Sequence, residues 1–121
     1  MSINKSYAVF GLGRYGMSVA KELADSGVDV IAIDNNDKKV EELVGVLPIC
    51  KCADVTDPNV IKQLGVSNVD TVVIALAGEL EASIMATMLC KEAGVPQVIV
   101  KCSNEIHMEI LKKVGADVVD T

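Results

Sequence analysis

Short apolar runs rich in β-branched residues alternate along the chain with longer stretches in which apolar residues recur at helical spacing. Runs that are apolar throughout are typical of parallel strands buried on both faces of a sheet. The pattern predicts six strands, at 7–10, 29–34, 48–52, 71–75, 97–101 and 117–119, separated by five helices. Strands that alternate with helices form βαβ units. We therefore expect an α/β fold built around a parallel sheet.

Glycines and capping residues agree with these boundaries. A glycine in the left-handed conformation commonly ends a helix, and one follows each predicted helix, at Gly27, Gly45, Gly65, Gly94 and Gly115. Asp57 and Pro58 are typical of an N-cap and a first helical residue, and Ser103 or Asn104 is expected to cap the last helix. The pattern uses the whole chain, so we expect residues 1–121 to form one domain.

Composition excludes several classes of protein. Half of the residues are apolar, which excludes a disordered chain. No uncharged apolar run approaches the roughly 18 residues of a membrane span, so we expect no direct insertion into a membrane. The net charge is −6 and tryptophan is absent. Nucleic-acid binding requires basic surface and aromatic platforms, so we expect no nucleic-acid partner.

The four cysteines, Cys50, Cys52, Cys90 and Cys102, form no C-x-x-C pair, and His107 is the single histidine. This spacing does not fit a zinc site, so no metal is expected. Cysteines in a chain without a signal-peptide pattern are typical of a reducing compartment. We expect a cytoplasmic protein in which at least three cysteines fill the core, with His107 in the first turn of the last helix.

The turn after the first strand carries a nucleotide-binding pattern. The sequence there is G-x-G-x-x-G, formed by Gly11, Leu12, Gly13, Arg14, Tyr15 and Gly16. In this pattern the first glycine allows a tight turn, the second admits a pyrophosphate, and the third lets the helix pack against the strand. The following helix presents its N–H groups to the phosphates. The fold predicted is therefore a Rossmann fold, a doubly wound six-stranded parallel sheet in the order 3-2-1-4-5-6.

An acidic residue at the end of the second strand strengthens this interpretation. Asp34 stands 23 residues after Gly11, close to the spacing of about 20 expected for a ribose-binding carboxylate. Such a carboxylate accepts hydrogen bonds from ribose hydroxyls and repels a 2′-phosphate. We therefore expect NAD(H), ADP or ATP as the ligand and not NADP. The alternative for Asp34 is a helix cap or a solvated carboxylate.

Further polar residues are candidates for the same site. Arg14 can neutralise phosphate charge, although a surface arginine is the alternative. Asn35, Asn36 and Lys39 follow Asp34 and either add polar contacts or form the cap and first turn of the second helix.

Residues after the later strands complete the candidate set. Asp54 follows the third strand, either near the adenine edge or as a turn residue. Ala77 and Gly78 follow the fourth strand and are small enough to let a cofactor pass. Lys101 ends the fifth strand, at the edge of the sheet where ligands bind.

The chain offers little catalytic chemistry beyond nucleotide binding, so no enzyme is predicted and no catalytic residue is assigned. The predicted fourth helix is unusual, because residues 82–90 carry no charge. A helix that is apolar all round is covered on more than one side, either by its own core or by a partner. We favour a homodimer contact through Ile84, Met85, Met88 and Leu89, or those of them that face away from the sheet.

Several short segments, taken in their order along the chain, resemble one protein family. They are similar to the N-terminal nucleotide-binding (RCK N, or TrkA-N) domain of Trk/Ktr potassium-uptake regulators. The segments that carry the similarity are 11–16, 32–36, 53–56 with Asp54 and Val55, 82–83, 100–104 and 111–117. This resemblance implies a cytosolic domain that binds NAD(H), ADP or ATP, dimerises, assembles into rings and gates a membrane potassium-translocating subunit at the inner face of the cell membrane. It implies ligand roles for residues 11–16, Asp34, Asp54 and Lys101.

Two alternatives to a potassium-transport regulator stay open. One is the cofactor-binding half of an NAD-dependent dehydrogenase, and the other is an interaction module that keeps the fold without binding a nucleotide. The uncharged helix and Arg14 favour the regulator over the dehydrogenase half. The glycine pattern with Asp34 argues against a module that binds no nucleotide. The resemblance also implies a second, C-terminal RCK domain, which this sequence does not contain.

Overall fold

The computed structural model describes residues 5–76 and 78–121. Within these residues the chain forms six strands and five α-helices, with one turn of 3-10 helix at Val66–Asn68. The strands are β1 (Ser6–Phe10), β2 (Asp29–Asp34), β3 (Ile49–Cys52), β4 (Thr71–Ile74), β5 (Gln97–Lys101) and β6 (Val118–Asp120). The helices are α1 (Arg14–Asp25), α2 (Asp37–Leu43), α3 (Pro58–Leu64), α4 (Leu80–Glu92) and α5 (Glu105–Lys113).

The strands form one parallel sheet in the order β3-β2-β1-β4-β5-β6. This confirms the predicted Rossmann topology, and the strand boundaries differ from the predicted ones by no more than one residue. The strand order reverses between β1 and β4, where Phe10 pairs with Ile33 on one side and Ile74 on the other. Ligands bind at such a reversal, beyond the carboxyl ends of the strands.

Each face of the sheet has its own hydrophobic layer. Successive strand residues point to opposite faces, so Val9 and Phe10 belong to different layers. The layer around Phe10 is completed by α3, α4 and α5 through Ile61, Ala86, Cys90 and Leu111. The layer around Val9 is completed by α1 and α2 through Ala20 and Leu43. Burial of both faces explains why the strands are apolar runs and not alternating ones.

The helix ends lie where the sequence predicts them. The five glycines that follow the helices all have positive φ. Asp57 caps α3 by accepting a hydrogen bond from the Asn59 amide. Of the two candidate caps for α5, Asn104 is the one used, and it accepts from the amide of His107 in the first turn at 2.9 Å.

Two of the four thiols lie in the core and a third packs against it, so the prediction that at least three fill the core is met only in part. Cys90 and Cys102 are buried, Cys50 is half-buried against the Val9 layer, and Cys52 is exposed. Among the described residues, no three His, Cys, Asp or Glu side chains come together as a possible metal site. No helix in this part of the chain is long and apolar enough to cross a membrane.

Helix α4 is buried on one face and exposed on the other. Its buried residues are small: Ser83, Ala86, Thr87 and Cys90. Met85 and Met88 are 42% and 41% exposed, while Ile84 and Leu89 are half-buried against the core. The sheet therefore covers one side of the uncharged segment and leaves two methionines uncovered.

A hydrogen-bonded ion pair joins the end of α4 to the last two strands. Lys91 Nζ donates to Asp117 Oδ2 at 2.9 Å and to the carbonyl oxygen of Val95 at 3.2 Å. The Val98 amide donates to the same Asp117 oxygen at 2.8 Å. Burial raises the pKa of Asp117, but the hydrogen bonds from Lys91 and Val98 outweigh it and hold this pKa below its usual value.

Loss of this carboxylate is expected to destabilise the fold in a pH-dependent way. Asp117→Ala should lower the free energy of unfolding at pH 7 by about 1–2 kcal/mol, because a partly exposed ion pair and the acceptor for the Val98 amide are both lost. A carboxylate whose pKa is lowered on folding stabilises the folded state at pH values above its unfolded pKa of about 3.9. That stabilisation is lost as the pH falls through the folded-state pKa. Urea denaturation should therefore show the difference at pH 7 and a smaller one near pH 3.

The control for this measurement is Asp25→Ala, which removes an exposed carboxylate at the end of α1. We expect little effect from it at either pH. An Asp117→Ala difference that stays constant down to acid pH would show that the carboxylate charge does not contribute.

Candidate functional site

A cavity of about 440 Å³ opens at the carboxyl edge of the sheet, at the reversal of strand order. Its size is in the range of small-molecule and cofactor sites. Most of the predicted site residues line it: Gly11, Leu12, Gly13, Arg14, Tyr15, Gly16, Asp34, Asn35, Asn36, Lys39, Asp54, Val55 and Lys101. Gly78 lines two neighbouring hollows instead. Ala77 lies outside the described residues.

The three loop glycines meet different surroundings. A Cβ on Gly11, whose φ is +96°, would overlap the carbonyl oxygen of Ala75, and a Cβ on Gly16 would overlap the carbonyl oxygen of Gly11. The fold itself therefore requires these two glycines. Gly13 has an ordinary φ of −72°, and a Cβ there would have no atom within 4 Å. At Gly13 the absent side chain leaves open space beside the cavity.

The first turn of α1 borders the cavity, since Arg14, Tyr15 and Gly16 line it. Gly13 is the N-cap residue, and in the described residues no side chain accepts a hydrogen bond from the first amides of α1. The first turn holds no acidic residue. Uncapped amides and the positive end of the helix dipole favour an anion at this point.

Asp34 connects the glycine loop to the start of α2. Its Oδ2 accepts from the Leu12 amide at 2.8 Å, and its Oδ1 accepts from the Asn36 amide at 2.9 Å. A carboxylate has about four acceptor sites, so each oxygen can still accept a ribose hydroxyl. The interpretation of Asp34 as the helix cap is wrong, because Asn36 caps α2 by accepting from the amides of Lys38 and Lys39.

The residues after β3 form a turn beside the cavity. Asp54 Oδ1 accepts from both the amide and the hydroxyl of Thr56, at 2.9 and 2.6 Å. These two hydrogen bonds lower the pKa of Asp54. Asp54 is thus a turn residue, as one alternative predicts, and it also lines the cavity with Val55.

An aromatic ring and a cation meet across the other side of the cavity. The Lys101 ammonium lies 5.2 Å from the centre of the Tyr15 ring, within the distance of a cation–π contact. Burial and the nearby charge of Asp120 raise the pKa of the Tyr15 hydroxyl. Lys101 and Tyr15 come from β5 and α1, so the fold brings together two residues that are far apart in sequence.

Sequence reasoning missed several residues that line the cavity. They are Ile33, Ala53, Thr56, Ala75, Leu76, Glu79 and Ala82. Four of them lie in segments that resemble the Trk/Ktr regulators, and this resemblance could have identified them: Ile33, Ala53, Thr56 and Ala82. Glu79 has the N-cap position of α4, but its side chain accepts no hydrogen bond from the described helix amides. In the sequence, only its position after β4 indicates that Glu79 belongs to the site.

The charged side chains described around the cavity are balanced in number. Arg14, Lys39 and Lys101 supply positive charge, and Asp34, Asp54 and Glu79 supply negative charge. The open space at Gly13, the uncapped helix amides and the free acceptor sites of Asp34 fit the phosphates and ribose of a nucleotide.

The chain matches one known protein family over most of its length. The TrkA-N domain matches residues 7–120. The chain belongs to the TrkA-N family. Among TrkA-N relatives, the Ktr system potassium uptake protein C of Bacillus subtilis (strain 168) is 41% identical over 115 residues, which cover 95% of this chain and 52% of that protein. The Ktr system potassium uptake protein A of Vibrio alginolyticus is 41% identical over 114 residues, covering 94% of this chain and 52% of that protein.

This TrkA-N chain thus spans about half the length of the curated relatives it matches. A solved structure similar to it is the NAD(P)-binding domain of an exopolyphosphatase-related protein from Archaeoglobus fulgidus, with a TM-score of 0.85, 26% identity and coverage of 93% of this chain and 84% of that one.

The GsuK channel shares the fold at lower identity. Its structure bound to NAD has a TM-score of 0.86 and 15% identity, covering 98% of this chain and 21% of that one. Its structure bound to ADP has a TM-score of 0.85 and 15% identity, covering 98% of this chain and 31% of that one.

Proposed function

We propose that this TrkA-N chain is the nucleotide-sensing part of a potassium uptake system. It binds NAD(H), ADP or ATP in the cavity at the carboxyl edge of the sheet. The ligand regulates a membrane potassium-translocating subunit, with the TrkA-N chain at the cytoplasmic face of the membrane. The proposal is supported by the Ktr relatives and by the structures of GsuK with NAD and with ADP.

The observation that carries the proposal is the arrangement around Gly13. A Cβ at this position would meet no atom within 4 Å, and Gly13 both lines the cavity and precedes the uncapped amides of α1 as its N-cap residue. Phosphates fit there, with Arg14 beside them. Asp34 lies at the end of β2 and takes the ribose hydroxyls, while Asp54 and Val55 line the adenine side.

We propose a regulatory and not a catalytic role for this site. The relatives that support this role are Ktr system potassium uptake proteins, whose names describe transport and not a reaction. Nucleotide binding then acts through a change in the contacts of the chain with its partners.

The partner surface that we propose within the assembly is the exposed face of α4, in contact with a second copy of this chain. Met85 and Met88 are uncovered there, and the segment 82–90 carries no charge that contact would desolvate. Methionines adapt to a facing surface. The same helix begins beside the cavity, where Glu79 and Ala82 line it, so one ligand can influence the contact.

Asp34 provides the test of ligand choice. Asp34→Ala is expected to weaken NADH binding by about 1–3 kcal/mol, because hydrogen bonds to a charged acceptor are lost. It should also remove the preference for NADH over NADPH, since the charge that repels a 2′-phosphate is gone. Isothermal titration calorimetry with NADH, NADPH, ADP and ATP measures both effects.

The matched control is Asp29→Ala, at the opposite end of the same strand, where the side chain is exposed. It should leave all four affinities unchanged. The ratio of NADH to NADPH affinity separates a ribose contact from a disturbed loop, because a disturbed loop weakens both ligands alike. Equal binding of NADH and NADPH by the unmodified protein would contradict the role of Asp34.

A further inference from the structure

Tyr15 and Lys101 meet on the side of the cavity away from Asp34. Asp34 ends β2, whereas Lys101 ends β5, and β1 and β4 lie between these two strands. Tyr15 reaches this side from the first turn of α1. The 5.2 Å separation of the ammonium and the ring centre places the cation over the aromatic face.

The Tyr15 ring packs against the core, and the Lys101 ammonium lies over it. Tyr15 is half-buried and packs against the Val9 layer. Lys101 has a flexible four-carbon stem, and its ammonium forms no hydrogen bond or salt bridge with the described residues. A flexible lysine loses conformational freedom when it binds an anion. A ring that already restricts the ammonium lowers that cost.

We propose that Tyr15 is a positioning residue, whose ring holds the Lys101 ammonium at the cavity so that it meets the phosphates of a bound nucleotide. This inference rests on the proposed function, because it requires a phosphate-bearing ligand in the cavity. Tyr15 then acts through Lys101, and its contribution disappears when the lysine charge is absent.

A double-mutant cycle tests this coupling, with ADP and adenosine as ligands in calorimetry. Tyr15→Leu is expected to weaken ADP binding about two- to fivefold, the range of an exposed cation–π contact, and to weaken adenosine binding less than ADP binding. Lys101→Met should weaken ADP binding about tenfold or more, since it removes a charge-assisted contact. In the Lys101→Met background, Tyr15→Leu should cause no further loss.

Two further measurements separate positioning from a structural role. Tyr15→Phe keeps the ring and is expected to restore the ADP affinity that Tyr15→Leu loses. In NMR spectra of the unmodified protein, the ε-methylene protons of Lys101 should be shifted upfield by the ring current. Tyr15→Phe should keep that shift and Tyr15→Leu should remove it. The spectrum of the unmodified protein tests the contact even if the leucine variant does not fold.

The outcomes distinguish this inference from the proposed function. If the unmodified protein binds ADP but the two losses add in the double variant, Tyr15 contacts the ligand itself and the positioning role is wrong. Lys101 protons that resonate with those of other lysines would overturn it as well. If the unmodified protein binds none of the nucleotides, the proposed function fails, and this inference fails with it.

Discussion

Gly13→Ala is expected to abolish most nucleotide binding and to leave the fold intact, whereas Gly16→Ala is expected to disrupt the fold. A methyl group at Gly13 would meet no protein atom within 4 Å, and we expect it to hinder the approach of phosphates to the α1 amides, because Gly13 lines the cavity and is the N-cap residue. The binding free energy of a nucleotide should become less favourable by roughly 2–3 kcal/mol, the contribution of hydrogen bonds to a charged group. A methyl group at Gly16 overlaps the Gly11 carbonyl oxygen and should destabilise the chain by about 3 kcal/mol.

The two variants are each other's control, because they add the same atom three residues apart. Thermal unfolding and calorimetry with ADP should give opposite results for the pair. Gly13→Ala should keep nearly the unmodified melting temperature, and Gly16→Ala should lower it. Retention of ADP affinity by Gly13→Ala would show that the phosphates do not approach the loop at this point.

Met88→Glu is expected to dissociate the proposed homodimer. It places an unpaired charge in an apolar contact, which should weaken the free energy of dimerisation by about 3–5 kcal/mol. Met88 is 41% exposed in the isolated chain, so the glutamate is tolerated in the monomer and the fold should survive. Sedimentation velocity should show monomers for the variant, and ADP binding should persist because Met88 is not part of the cavity lining.

The matched control is Val46→Glu. Val46 is 54% exposed and lies between α2 and β3, at the opposite edge of the sheet from β6. This variant should sediment like the unmodified protein. An unmodified protein that remains monomeric at high concentration with every nucleotide would contradict the dimer, and the two methionines would then be ordinary surface residues.

The topology was predictable because its signals are local. A parallel strand buried on both faces must be apolar throughout, and a helix that ends in a left-handed turn favours glycine, so strands and helix ends are visible in the sequence. The 3-10 turn at Val66–Asn68 was not predicted, because Gly65 marks the end of α3 but does not determine the conformation of the residues after it.

The chemistry of the cavity was only partly predictable. The glycine pattern and Asp34 stand at defined spacings, so the sequence alone indicates a nucleotide site. The spacing does not show that Asp34 also holds the Leu12 amide, or that Tyr15 lies against Lys101, since both contacts join separate elements. Nor does an uncharged helix reveal which of its apolar residues the sheet covers; only the packing separates Met88 from Cys90.

The balance of charge around the cavity has a consequence for the speed of ligand capture. Three cationic and three anionic side chains line the described part of the cavity, within a chain of net charge −6. An approaching nucleotide anion is therefore repelled at long range and gains no electrostatic steering. Added salt should screen that repulsion and raise the association rate constant, the opposite of the dependence shown by binding sites with an excess of positive charge. Stopped-flow measurements with ADP at increasing ionic strength would show whether the association rate constant rises or falls.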